Sequence, residues 1–247
     1  MQPKKAVIIG SGIAGLAASI RLVAQGYNVH VYEKSEKPGG KLGFFSEKGY
    51  QFDTGPSLFT QPHQLEALLA LVGEKLSDYF TYQKMPVSCH YFYEDGTFIE
   101  ASADPDLFAK EAHEKTGEPV SSIKNYLAAT EKLYTRIGQV FLNYSLHKIS
   151  TLFKIPLLSA LGAFKLTYIT RSMHKHNERS FRSKKLVQLF NRYATYNGSN
   201  PYVAPSMLTL IAHLEHNEGS FYPSGGMISI TNTLVAVAKK NRGSIFF

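Results

Sequence analysis

The chain has no tryptophan and a single cysteine, Cys89, among its 247 residues. One thiol excludes an internal disulfide framework, and nothing near it has zinc-site spacing, so it is expected to serve as a small core hydrophobe. Long apolar stretches are also missing. In the basic part of the chain the longest uncharged run is Ile155 to Phe164, far short of the ~20 residues of a membrane-spanning helix. Nor is there a signal peptide: two lysines precede a short apolar run that enters a glycine loop, a strand pattern that points to a cytoplasmic chain. Acids are scarce in one place. Between Lys148 and Arg192 stand ten Lys or Arg and one acid, Glu178, which leaves 17 of the 27 bases against 18 of the 19 acids elsewhere. The formal excess of +8 therefore sits in that segment, beside apolar runs, and points at a surface rather than a substrate. No nucleic-acid partner is expected.

What is present is a globular composition, 44% hydrophobic, with 16 Phe and 15 Tyr. Large rings with occasional hydroxyl handles suit a roomy apolar site. Ala6 to Ile9 is a β-branched and apolar run, Ile13 to about Gln25 has helical spacing, and Val29 to Tyr32 is a second strand run. Gly26 closes the helix where a left-handed residue is wanted. Gly49 to Gly55 reads as a turn-rich approach to the same site, and Leu65 to Val72 as a helix stopped by Gly73. Val87 to Tyr93 and Thr97 to Ala101 flank Asp95-Gly96, a pair that suits a primed hairpin turn. Pro105 to Arg192 is largely helical with breaks at Pro119 and Pro156. Met207 to Leu214 reads as a strand, Thr231 to Lys240 as a helix and Ser244 to Phe247 as a strand.

Chemistry is concentrated near the N-terminus. Gly10, Gly12 and Gly15 form G-x-G-x-x-G directly after a strand, with Ile13 and Ala14 opening the helix. Gly10 permits the tight turn, Gly12 lets backbone approach a pyrophosphate, and Gly15 allows close helix–strand contact. The helix N-terminus favours negative charge. Glu33 ends the second strand at the spacing expected for a carboxylate on ribose hydroxyls, which also disfavours a 2′-phosphate. Val7 to Glu33 is thus built for the ADP half of a dinucleotide. Three glycines alone are a weak signal, but strand, helix and acid are in register.

The sequence continues Glu33-Lys34 and then Pro38-Gly39-Gly40-Lys41-Leu42-Gly43, which resembles the second signature of glutathione-reductase-type flavoproteins in their amine oxidase and carotenoid desaturase branch. Phe52-Asp53-Thr54-Gly55-Pro56-Ser57 matches that branch's next element; an ordinary turn is the alternative for each. FNRYATYNGSNPY, Phe190 to Tyr202, and Tyr222-Pro223-Ser224-Gly225-Gly226-Met227 resemble the bacterial phytoene-desaturase-type carotenoid desaturases. The resemblance implies an α/β protein, with an incomplete Rossmann-like FAD-binding domain over residues 1–85 and 216–247 and an inserted α+β domain, largely helical, over residues 86–215 for substrate and membrane contact. It implies FAD held by Gly10, Gly12, Ile13, Ala14, Gly15, Glu33, Lys34, Gly39, Gly40, Lys41, Thr54, Gly55 and Pro56.

It further implies removal of hydrogen from adjacent carbons of phytoene or a hydroxylated carotenoid, reoxidation by a quinone or oxygen, and peripheral attachment to the cytoplasmic membrane. A C40 hydrocarbon offers few polar handles, so its site must bury apolar area, at roughly 25 cal/mol per Å². Lys184, Lys185 and Arg182 would face anionic lipid; a plain solvated basic face is the alternative. In His213-Leu214-Glu215-His216, two histidines supply at most two ligands, so no metal is assigned. Glu215 is a candidate proton acceptor, weighed against a structural or solvent-facing role. His174-Lys175-His176 reads as solvated surface, and Tyr193, Tyr196 and Asn197 as candidates to line the substrate passage or simply to fill space. Members of that family are about double the length of this chain, which implies that the flavin end lacks a wall. A flavin amine oxidase and an inactive remnant are the competing readings.

Overall fold

The computed structural model describes residues 4–138, 167–241 and 243–246. The chain divides into two compact units, Met1–Met85 with Phe221–Phe247, and Pro86–Ser220.

The first unit begins with β1 (Lys5–Ile9), α1 (Ile13–Ala24) and β2 (Asn28–Tyr32). Gly26, at φ +85°, ends α1 in the left-handed conformation that a residue without Cβ adopts cheaply. Where glycines 49 and 55 suggested only a turn, the chain makes a hairpin, β3 (Phe44–Glu47) antiparallel to β4 (Tyr50–Asp53). The turn is confined to Lys48 and Gly49, both with positive φ. On either side, Phe45 and Phe52 stack across the ribbon with centroids 5.1 Å apart, a cross-strand aromatic pair that favours sheet. α2 (Pro62–Ala70) and β5 (Tyr82–Lys84) follow.

The second unit opens with a hairpin, β6 (Val87–Phe92) and β7 (Phe98–Ser102). Its connection is not the two-residue primed turn that Asp95-Gly96 suggested. Gly96 N–H donates to the Tyr93 carbonyl at 2.9 Å, Tyr93 N–H to the Thr97 carbonyl at 3.0 Å, and only Gly96 has positive φ. This is a three-residue loop; a primed type I turn needs two left-handed residues, and Asp95 is not one of them. Helices α3 (Pro105–Thr116) and α4 (Val120–Leu133) come next, the first capped by the Asp104 carboxylate on the N–H groups of Asp106 and Leu107. Pro119 breaks the helical run as expected, at the N-terminus of α4. Pro156, Lys148 and the apolar run Ile155 to Phe164 lie outside the described residues. α5 (Thr167–Thr170), α6 (Met173–Ser180) and α7 (Lys184–Asn191) complete the α-helices of this unit among the described residues.

The segment Met207 to Leu214 is not a strand. It forms a 3-10 helix, Ser206–Ile211, and runs on into a π-turn, Leu214–Glu218. A continuous apolar run carries no period, so strand and helix look alike there. The polar residues do carry one: Ser206, Thr209, His213 and His216 are all buried, three or four apart. Around them, Phe108, Ile123, Leu186, Leu189 and Phe190 form one core, with the Phe181 and Phe190 rings stacked at 5.0 Å.

The chain then returns to the first unit through β8 (Phe221–Pro223), antiparallel to β5, followed by α8 (Ile228–Lys240) and β9 (Gly243–Phe246). β9 pairs parallel with β2, which pairs parallel with β1, in the order β1-β2-β9. Val29 and Val31 are fully buried on one face of this sheet, and α1 and α8 supply Leu16, Ile20, Leu234 and Val237 to the core of this unit. This is the start of a Rossmann-like layer, with parallel strands and helices packed on one face.

Candidate functional site

The cradle is assembled from backbone that only glycine permits. A Cβ on Gly15 would fall on the Gly10 carbonyl oxygen, so α1 sits against the turn at its own entrance. Gly10 has φ +96° and its N–H donates to the Tyr32 carbonyl at 2.7 Å, locking the turn to the end of β2. No side chain caps α1, whose N-cap is Gly12, and no acid lies in its first turn. Its free N–H groups and positive dipole end are therefore available to an anion.

The second glycine turn meets the first. Gly39 N–H donates to the Ser11 carbonyl at 2.9 Å, Gly12 and Gly39 form a parallel bridge, and a Cβ on Gly40 would come within 3.3 Å of the Gly12 Cα. Thr54 N–H donates to the Gly43 carbonyl at 2.9 Å, and a Cβ on Gly55 would collide with the Lys41 carbonyl oxygen. The segment of residues 41–43 thus runs directly against Thr54-Gly55, leaving Lys41, Thr54 and Pro56 exposed beside it. Lys34, Ala14 and Gly40 are exposed, while Ile13 is half-buried.

Glu33 faces the glycine loop. Its Oε2 accepts from Ser11 N–H at 2.7 Å and Ser11 Oγ at 2.8 Å, and its Oε1 from Ser35 N–H at 2.9 Å. These bonds, Ser35 N–H first and then the two from Ser11, hold the Glu33 carboxyl down to about 2. Donors to the charged form favour it, so the end of β2 carries a fixed negative charge. Ser11, buried between the two glycines, did not emerge from the sequence as a site residue. The only signal was its place inside the motif. Nor did the role of Tyr222 to Met227 emerge in physical detail. Tyr222 Oη donates to Asp53 Oδ2 at 2.8 Å and Gln51 Nε2 to the Gly225 carbonyl at 3.3 Å, so this motif anchors the hairpin that carries Asp53 and Thr54. Asp53 Oδ1 is buried with no hydrogen-bond partner among the described residues.

In the second unit the structure gathers a polar cluster within the helical core. Glu215 is fully buried, yet its Oε2 accepts from Arg192 Nη2 at 2.5 Å and Tyr193 Oη at 3.2 Å, and its Oε1 from the Tyr196 hydroxyl. The Arg192 guanidinium lies 4.6 Å from the Tyr193 ring centroid and donates to Tyr91 Oη at 2.9 Å. A carboxylate with three partners of this kind is committed as an acceptor, which supports the structural role of Glu215 over that of a free base. His216 Nε2 is 2.8 Å from Tyr193 Oη, and burial followed by the Arg192 charge pushes this imidazole down to about 3, so it is neutral. Tyr193 is buried in the core, whereas Tyr196 and Asn197 are exposed.

His174 and His176 are not solvated surface. His174 Nδ1 faces Asn191 Nδ2 at 3.0 Å and its Nε2 faces Glu178 at 3.2 Å, one helical turn on. Asn191 in turn bonds Asn177, which accepts from Tyr126 Oη at 2.7 Å. The ring of His176 lies 6.1 Å from those of Tyr126 and Tyr168. Lys185 is paired with Asp95 at 2.5 Å, which removes it from the set of free cations. Among the described residues no group of three or more His, Cys, Asp or Glu is placed to hold a metal ion, and no helix is long and apolar enough to cross a membrane.

Comparison with known proteins agrees with this geometry. The profile of flavin containing amine oxidoreductases matches residues 13–247. A 1-hydroxycarotenoid 3,4-desaturase of Flavobacterium sp. is 45% identical over 96% of this chain and 48% of its own length. A 4,4'-diapolycopene oxygenase of Methylomonas sp. is 31% identical over 95% of this chain and 47% of its own. The chain therefore spans about half the length of the curated relatives it matches. Among solved structures, cyclohexylamine oxidase from Brevibacterium oxydans is similar in fold, with a TM-score of 0.55 at 18% identity over 98% of this chain and 51% of that one. With two interlocked glycine turns faced by Glu33, and a profile that runs through both units, the chain belongs to the flavin containing amine oxidoreductases.

Proposed function

We propose that this chain carries the nucleotide-binding frame of an FAD-dependent carotenoid desaturase acting on a hydroxylated C40 polyene. The observation that carries the reading is the cradle itself, uncapped at α1 and closed by a carboxylate fixed on Ser11, in a chain 45% identical to a 1-hydroxycarotenoid 3,4-desaturase. Bound FAD supplies a two-electron acceptor for the hydrogens taken from adjacent substrate carbons. The chain's own groups bind and position. The N–H groups at the start of α1 receive the diphosphate, Gly12 and Gly40 leave room for it, and Glu33 accepts from the adenosine ribose while rejecting a 2′-phosphate. Thr54, Gly55 and Pro56 continue along the same edge, toward the flavin end. A quinone or oxygen as electron acceptor, and a membrane surface met by Arg182, Lys184 and Lys175, belong to this reading as well; all three side chains are exposed.

The experiment is spectroscopic. Purified chain is loaded with FAD and given, without oxygen, either a 1-hydroxycarotenoid in liposomes or a primary amine. Bleaching of the flavin band with a red-shifted polyene spectrum is the expected result. Bleaching by the amine alone would replace the desaturase with an amine oxidase.

A further inference from the structure

In the first unit, among the described residues, a cleft of about 390 Å³ opens between α1, α2 and the start of α8, within the size range of small-molecule sites. Its floor is apolar and buried, formed by Leu42, Phe59, Leu65, Met227 and Ile230. One wall is a stripe of α1: Ile13, Ala17 and Arg21 stand four residues apart and share a helix face over about 12 Å. Polarity changes along that stripe. Ile13 and Ala17 are half-buried, whereas Arg21 is exposed, as is Gln64 of α2, which also lines the cleft. Arg21 is the only charged residue among those lining it, and among the described residues it makes no ion pair. Glu66, the acid of α2, is engaged elsewhere, accepting from Tyr82 Oη at 2.8 Å.

We propose that this cleft binds a free medium-chain fatty-acid carboxylate, with its alkyl chain along α1 toward Ile13 and Leu42 and its head group at Arg21. An alkyl chain gains by leaving water for the apolar floor. The carboxylate gains a charge-assisted hydrogen bond from a guanidinium that has no acid beside it. An extended decanoate chain has the length of the stripe from Ile13 to Arg21. The C40 polyene of the proposed reaction is not the occupant, because it far exceeds that length and brings no charge to Arg21. A neutral alkane of the same size would leave Arg21 without a role.

The test is calorimetric titration of the full 247-residue chain with decanoate, decanol and acetate. Saturable one-to-one binding of decanoate is expected, with decanol about fivefold weaker, the gap of a partly exposed ion pair, and no binding of acetate. Arg21→Gln is expected to bring decanoate down to the level of decanol while leaving FAD affinity unchanged. Ala17→Phe, which fills the cleft from α1, is expected to abolish binding of both, with circular dichroism checking its fold. Because the chain has no tryptophan, Gln64→Trp at an exposed position supplies a single emission band, expected to shift to the blue with decanoate. Equal binding of decanoate and decanol overturns the inference, as does an Arg21→Gln variant that keeps the gap, or the absence of saturable binding. So does a dimer of this chain that Ala17→Phe dissolves, which assigns the cleft to a second copy. Capture by phosphatidylglycerol vesicles without binding of free decanoate overturns it too, in favour of a membrane surface. None of these readouts involves turnover, so they stand or fall apart from the desaturase reading.

Discussion

Acid should loosen the helical unit well before it touches the nucleotide cradle, and the cause should be His216. This imidazole has no exposure, lies 4.4 Å from the Phe108 ring, meets Tyr193 Oη through Nε2, and has a buried Nδ1 with no hydrogen-bond partner among the described residues. Burial first and the Arg192 charge second lower it from 6.5 to about 3. Because the folded value lies below the unfolded one, the unfolded chain binds the extra proton, and stability present above pH 6.5 is lost as pH falls toward 3. For one such group the loss from pH 7 to pH 5 is about 2 kcal/mol, approaching about 1.4 kcal/mol per pH unit. The carboxylates Glu33 and Asp95, each held at about 2 from 4.5 and 3.8, act in the same direction but only at lower pH. His213 is also lowered, by burial, and contributes in the same window with the same sign. The assay is urea unfolding of the full chain at pH 7, 6 and 5, for the parent, His213→Asn, His216→Asn and the double variant. Asparagine at 216 costs stability at every pH, an offset, but should remove about 2 kcal/mol of the pH-dependent loss. An unchanged slope in His216→Asn would refute the reasoning.

Three further outcomes follow from the same contacts. Gly15→Ala should weaken FAD binding by at least roughly tenfold, read by flavin fluorescence titration, because its Cβ displaces the Gly10 carbonyl at the cradle. Glu33→Ala should free Ser11 and Ser35 and likewise weaken FAD by roughly tenfold, and, since Glu33 keeps its charge down to about 2, parent affinity should owe no pH dependence to this group between pH 5 and 8. Arg192→Met should cost about 3–5 kcal/mol in urea unfolding by stranding the buried Glu215 carboxylate; a joint Arg192→Met, Glu215→Leu variant should recover much of that.

Much of the cradle was legible because its constraints are local. Gly15, Gly39 and Gly40 are dictated by backbone approach and Gly10 by its left-handed turn, which leaves a spacing in the sequence. The pairing of Arg192 with Glu215 leaves none, since 23 residues separate them and the bond exists only once helices fold together. His174 looked like part of a solvated face because it stands in a basic tract; the buried Asn191 that engages it, and Asn177 bonded to Asn191, become neighbours only across α6 and α7. Hairpin β3–β4 was hidden for a different reason. Its glycines dominate a reading based on turns, while the aromatic pair that fixes it spans the two strands.

The two units differ in how their sequence is laid out, and this sets an order on synthesis. The helical unit is continuous, so its core can close once Ser220 has left the ribosome. The nucleotide-binding unit is written in two pieces. Its β1, α1 and β2 emerge before the helical unit, whereas α8 and β9 emerge only after the whole of it. Until then Leu16 and Ile20 have no Leu234 or Val237 to meet. The residues of β1, α1 and β2 are thus secured only after the helical unit has emerged, and the nascent chain carries an unfinished sheet in the meantime.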